Sequence, residues 1–112
     1  MQNAVHSLSE KDFQRIIKGC KRKNRSAQHE LYKSYYSVGI GFLMERTSCM
    51  KTSIALLNAS FLRVLSRPKG YPTRKHFDFL FVKILSNEVA NFKQGKRPVS
   101  QLVQTKSVFH CI

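Results

Sequence analysis

Phe77, Leu80, Phe81, Ile84, Leu85, Val89 and Phe92 recur at helical spacing and fall on nearly two adjacent stripes of one helix. A helix with so wide an apolar surface is stable only when other elements cover it. The pattern predicts a helix from Phe77 to about Phe92 that is the most buried element of the fold. Phe79 and Val82 fall on other faces, so packing on several sides is expected. Gly95 and Pro98 follow as stop signals.

Three further helices are predicted to cover it. Ser9 can accept from the backbone three residues on, and Glu10 and Asp12 suit the positive end of a helix dipole. Phe13, Ile16, Ile17 and Cys20 follow at helical spacing, and the helix ends in Lys21-Arg22-Lys23-Asn24-Arg25. Ser26 is a second cap candidate, opening a helix over about 27 to 46 with Ala27, Leu31, Tyr35, Val38 and Phe42 on one stripe. Tyr32, Tyr36, Ile40 and Leu43 widen that stripe, and the tyrosine spacing favours packing over an exposed aromatic patch. Gly39 and Gly41 each weaken this helix by roughly 1 kcal/mol relative to Ala, and they permit close approach of a neighbour. A third helix, about 50 to 66, buries Ile54, Leu57, Phe61 and Val64. Its other face, Lys51, Thr52, Ser53, Ala55, Asn58 and Ala59, reads as exposed and weakly charged. The fold class is therefore all-α, a compact bundle of three to four helices, with a loose lead at 1–8, one domain at 9–95 and a basic tail at 96–112 that is expected to be mobile.

Charge limits what such a bundle meets. Twenty Lys and Arg stand against six Asp and Glu, a formal net charge of +14 with pI ≈ 10.2. That imbalance attracts polyanions: DNA, RNA, an acidic protein face or an anionic membrane surface. Between Arg46 and Phe77 every charged residue is basic, and after Glu88 only Lys93, Lys96, Arg97 and Lys106 follow. The segment between the third and fourth helices forms a cationic lip of Arg67, Lys69, Arg74 and Lys75, with Tyr71 between Pro68 and Pro72. Phosphates pair with Lys and Arg, and an unpaired base stacks on an exposed ring. Tyr71 is expected to be exposed for that purpose, with His76 beside it, while Phe77 is expected in the core. The same residues also fit a solvated surface loop between two core helices.

Catalytic chemistry finds little support. No pair of carboxylates lies close in sequence, and His6, His29, His76 and His110 are scattered. Gly39-x-Gly41 lacks the third glycine and the preceding strand of a phosphate-binding loop. Cys20, Cys49 and Cys111 are an odd count without metal-ligand spacing, so neither a disulfide framework nor a metal site is expected, and no catalytic residue or cofactor is assigned. The polar start lacks a signal-peptide hydrophobic region, and no apolar run approaches the roughly 18 residues of a membrane span. A reduced, cytoplasmic protein with no membrane partner is expected.

Several runs carry a family resemblance. Ala27, Leu31, Tyr32, Tyr35 and Tyr36, preceded by FQRIIKGCKRKN, resemble the opening of bacterial RNA polymerase sigma factors of the extracytoplasmic-function type. Ser60-Phe61-Leu62-Arg63-Val64 is similar to that family's "TFLRVW", and Phe77, Ile84, Asn87, Ala90 (shifted by one) and Phe92 resemble its next helix. The resemblance covers about residues 12 to 97 and corresponds to sigma region 2. It implies a non-catalytic transcription protein that binds promoter −10-like or single-stranded DNA, and RNA polymerase core or an anti-sigma protein. Carried over by position, Tyr71, Arg74 and Lys75 would face DNA, Lys83 and Asn87 would lie on the reading helix, and Leu57, Asn58 and Arg63 would lie on the polymerase side. The departures are definite. The family's acidic docking run is replaced by Thr52-Ser53-Ile54-Ala55-Leu56-Leu57-Asn58-Ala59, its tryptophan falls at Leu80, and a typical basic position falls at Ser86. No domain for the −35 element follows within the 112 residues, so the expectation is a degenerate or stand-alone region 2. The alternative is a protein-interaction module that keeps the fold without promoter recognition, using the weakly charged face of the third helix.

Overall fold

The computed structural model describes residues 8–67 and 70–95, and these build four helices: α1 (Glu10–Lys21), α2 (Arg25–Thr47), α3 (Met50–Leu65) and α4 (Arg74–Lys93). The expectations for the lead before Leu8, for the tail after Gly95, and for Pro68, Lys69 and Pro98 lie outside the described residues. The all-α bundle is as the periodicity predicts, with no strand among the described residues.

Local chemistry explains the boundaries. Ser9 caps α1 as expected, its hydroxyl accepting from Asp12 N at 3.0 Å. The helix ends in a Schellman turn, where Asn24 N donates to Gly19 O and Lys23 N donates to Cys20 O. Lys23 takes the left-handed position at φ 61. This turn moves the α2 cap forward: Asn24, not Ser26, accepts from Ala27 N at 3.0 Å. Thr73 caps α4 by accepting from His76 N, so that helix begins one turn before the apolar stripe does. Gly95 ends it with φ +76.

The most buried helix is α3, not α4. Nine of its 16 residues are buried, against five of 20 in α4. The uncharged positions Thr52, Ser53, Ala55 and Ala59, read from sequence as a solvent face, are interior. They are small and uncharged because α2 and α4 close over them. Conversely Phe79 and Val82, expected to pack, are 63% and 43% exposed. Leu80, Ile84 and Phe92 are only half-buried.

Aromatic rings join the helices. Phe77 on α4 meets Phe13 of α1 at 5.3 Å, Tyr35 of α2 at 4.9 Å and Phe81 at 5.8 Å between centroids. Tyr32 and Tyr35 are core residues, as their spacing predicts, and each hydroxyl finds an acceptor. Tyr32 donates to Asn58 Oδ1 at 2.8 Å and Tyr35 to Asp78 Oδ1 at 2.5 Å. Buried Glu88 pairs with Arg63 at 3.0 Å, joining α3 to α4. Glu10, the first residue of α1, accepts Arg74 N with both carboxylate oxygens, at 3.0 and 3.1 Å, and so fastens the start of α1 to the start of α4.

The two α2 glycines separate. A Cβ on Gly39 would meet Leu57 Cδ1 at 2.5 Å, so α3 does approach closely there, whereas a Cβ on Gly41 meets nothing within 4 Å. Gly41→Ala is therefore expected to stabilise the protein by about 0.5–1 kcal/mol, through helix propensity and reduced freedom of the unfolded chain. Gly39→Ala should gain less or lose stability, because Leu57 must shift; urea midpoints of the two variants check the difference. A second prediction concerns acid. The Gln14 amide, then the Arg74 backbone N–H, hold the Glu10 carboxyl below its ordinary value. A depressed carboxylate contributes stability above its unfolded pKa and loses it as pH falls through the folded one. Glu10→Gln should thus lower the urea midpoint at neutral pH and converge with the parent well below the carboxylate range.

Candidate nucleic-acid interface

The cationic lip predicted from sequence divides into two surfaces and a buried hinge. The hinge is Tyr71. Its ring packs edge-on against Phe77 at 4.8 Å, its hydroxyl donates to Val64 O at 2.9 Å, and only 7% of the residue is exposed. The expected stacking platform is therefore a core residue. A tyrosine between prolines is driven inward here because Val64, in the last turn of α3, offers a carbonyl that otherwise accepts only from the cap and, at a long 3.4 Å, from Arg67 N. Burial raises the phenol's pKa despite the opposing Arg67.

Arg67 and His76 turn with Tyr71 toward α1. Arg67 donates from Nε to Gly70 O at 3.2 Å and holds its guanidinium 5.3 Å above the Tyr71 ring. His76 is half-buried, 6.2 Å from that ring between centroids. Arg74 is engaged too, its backbone by Glu10 and its side chain beside Asp78 at 3.9 Å. Lys69 lies outside the described residues.

The second surface is the outer face of α4. Lys75, Phe79, Val82, Lys83, Ser86, Asn87, Ala90 and Lys93 are all exposed, and no acid stands among them. The two acids of this helix turn away: Asp78 toward Tyr35 and Glu88 into the core against Arg63. Lys83 Nζ lies 5.7 Å above the Phe79 ring, and Lys75 is one turn back on the same side. An exposed ring between two lysines offers a flat apolar face and two phosphate partners within one helix turn each way. Lys83 and Asn87 thus share one exposed surface with Lys75. Sequence reasoning missed Phe79, taking its off-stripe position for packing; that same position, outside both stripes, is the signal that places it in solvent.

The polarity of charge reinforces this division. Asp12 and Glu30 pair with Arg15, Glu45 with Arg46, Asp78 with Arg74 and Glu88 with Arg63. Glu10 is held by Gln14 and Arg74. Lys75 and Lys83 are left without a carboxylate partner among the described residues.

The predicted partner-side residues do not form a surface. Leu57 is fully buried beneath Gly39, and Asn58 is half-buried, accepting from Tyr32. Arg63 is 40% exposed but committed to Glu88. Among the described residues no helix is long and apolar enough to cross a membrane, and no group of three His, Cys, Asp or Glu is placed to hold a metal ion.

Tyr71→Phe should cost about 1 kcal/mol of stability by leaving Val64 O with only the cap and the long bond from Arg67 N, and Tyr71→Ala about 3 kcal/mol or more by opening a cavity against Phe77. Because Phe keeps the ring in the core and under Arg67, Tyr71→Phe should leave oligonucleotide affinity by anisotropy as in the parent. No family model matches this chain, and neither the curated proteins nor the solved structures include a match to it.

Proposed function

We propose that this chain is a non-catalytic, sigma region 2-like helical domain that binds single-stranded or locally opened DNA through the outer face of α4. The observation that carries the reading is Phe79, 63% exposed on an acid-free face between Lys75 and Lys83. Exposing a phenylalanine to water is unfavourable unless a partner covers it. An unpaired base covers it well, because every base has a flat face, and the flanking lysines neutralise the phosphates on either side. Asn87, one turn beyond Lys83, can donate and accept at a base edge. The run of family-like residues from Phe77 to Phe92 supports a transcription role for this helix, with promoter-type DNA as its substrate class and the polymerase core as its companion.

Protein interaction is the second reading, favoured by Val82 lying exposed beside Phe79. It moves the contact surface from α3, which is buried, to α4. An anti-sigma protein or the polymerase would then cover Phe79 and Val82 without nucleic acid.

Phe79→Ala is expected to weaken binding to a single-stranded or bubble oligonucleotide by about 5- to 150-fold, the cost of one lost base stack. Duplex binding and thermal stability should change little, since the ring contributes mainly to the surface. Lys83→Gln should reduce the slope of log affinity against log salt by about 0.7 on single strands. Equal affinity of parent and Phe79→Ala for bubble DNA, with loss of a protein partner in the same variant, would decide for the second reading.

A further inference from the structure

A cleft of about 490 Å³ lies between α1 and the loop that joins α3 to α4, in the size range of small-molecule sites. Its walls include Lys18 and Lys21 from α1, Arg67, Gly70 and Tyr71 from the loop, and His76 from α4. Among the described residues no carboxylate lines it. Two cations converge on a single residue: Arg67 Nε donates to Gly70 O at 3.2 Å, and Lys21 Nζ lies 2.9 Å from where a Cβ on Gly70 would stand. Gly70 suits this point in the loop through its φ of +72, and its missing Cβ leaves space that the Lys21 ammonium group occupies.

Lys18, Lys21 and Arg67 line one cleft with no carboxylate among its described lining residues, so their charges repel. Arg67 is fixed by the Gly70 carbonyl and by the Tyr71 ring. Tyr71 is in turn anchored on Val64 O. A side chain held this firmly pays little ordering entropy when a ligand arrives. The far wall adds a second incomplete feature, for His76 Nδ1 is buried with no hydrogen-bond partner among the described residues. An oxyanion in the cleft offsets the repulsion and supplies acceptors to Lys21 and Arg67 together.

We propose that this cleft is a phosphate-binding site, with Lys21 and Arg67 as its principal cations and Lys18 at its rim. A guanidinium and an ammonium group lining one cleft match a tetrahedral anion that accepts from several directions, and charge-assisted bonds of this kind are the strong ones. The phosphate belongs either to a small di- or oligophosphate or to the backbone of a strand crossing the cleft. The site does not rest on the α4 reading, because Phe79 and Lys83 take no part in it.

Calorimetric titration of the full chain with inorganic pyrophosphate at low salt tests the site. Saturable one-to-one binding is expected, weakened by about tenfold or more in Lys21→Gln, whose side chain is exposed and whose loss leaves the core intact. Arg67→Lys, which keeps the charge and loses the planar fork, should weaken it less, while Lys51→Gln and Phe79→Ala should bind as the parent does. Unsaturable binding in the parent, or equal binding by the parent, Lys21→Gln and Lys51→Gln, overturns the proposal. Competition with a single-stranded oligonucleotide then names the source. Displacement by pyrophosphate assigns the cleft to a strand's phosphate, and simultaneous binding assigns it to a free phosphate compound.

Discussion

The Phe77 ring is the point on which the bundle turns. It lies within 6 Å of four other rings, Phe13, Tyr35, Tyr71 and Phe81, contributed by α1, α2, the α3–α4 loop and α4. Three of these contacts are edge-on and that with Phe81 is stacked; such pairs fix angle as well as distance, each contributing about 0.5–1.5 kcal/mol beyond area burial. One side chain therefore sets the positions of three helices and one loop relative to each other. Because the loop is held through Tyr71, the cations around it are held as well.

Polar contacts complete what the rings begin. Tyr35 is both a wall of the Phe77 pocket and a donor to Asp78, so its hydroxyl draws the one outward-leaning acid of the first turns of α4 back against α2. Burial first, and then the bond to Asp78, raise the Tyr35 phenol, which stays a proton donor throughout the ordinary pH range. Arg63 and Glu88 do the same for the second acid, at the other end of the α3–α4 contact. The outer face of α4 is acid-free because the core has use for both carboxylates.

Much of the fold was legible in the sequence, and the failures share one cause. Periodicity located all four helices, and the buried set Phe13, Ile16, Ile17 and Cys20 of α1 was read without error. The α2 cap was misplaced because Asn24 and Ser26 are both competent, and the choice rests on the Schellman turn at Lys23, which only the closed structure reveals. The α3 and α4 errors came from equating apolar with buried and weakly polar with exposed. Thr52, Ser53, Ala55 and Ala59 are interior although small and weakly polar, while Phe79 is outside although apolar, because α4 already buries its other sides. Within the lip, sequence could identify the cations but not which way each would face. Tyr71 decided that, and its direction depends on a carbonyl at Val64, seven residues away.

The surplus charge then acquires a meaning that composition alone does not give it. A net charge of +14 spread evenly would only repel the chain from itself. Here the carboxylates are spent on arginines and helix starts, within and between helices. Among the cations that remain outside are lysines on the α4 face and Lys21 at the cleft beside Arg67's loop, together with Lys11, Lys33 and Lys51 elsewhere. Lysine keeps its charge in water on a flexible stem and accepts any phosphate geometry, which suits a strand that moves past it. Arg67, rigid on Gly70 and Tyr71, suits a ligand that must sit in one place. Lys21 shares the flexible stem of the α4 lysines, so the stiffness that distinguishes the cleft rests on Arg67, which leans through Tyr71 on the Phe77 cluster.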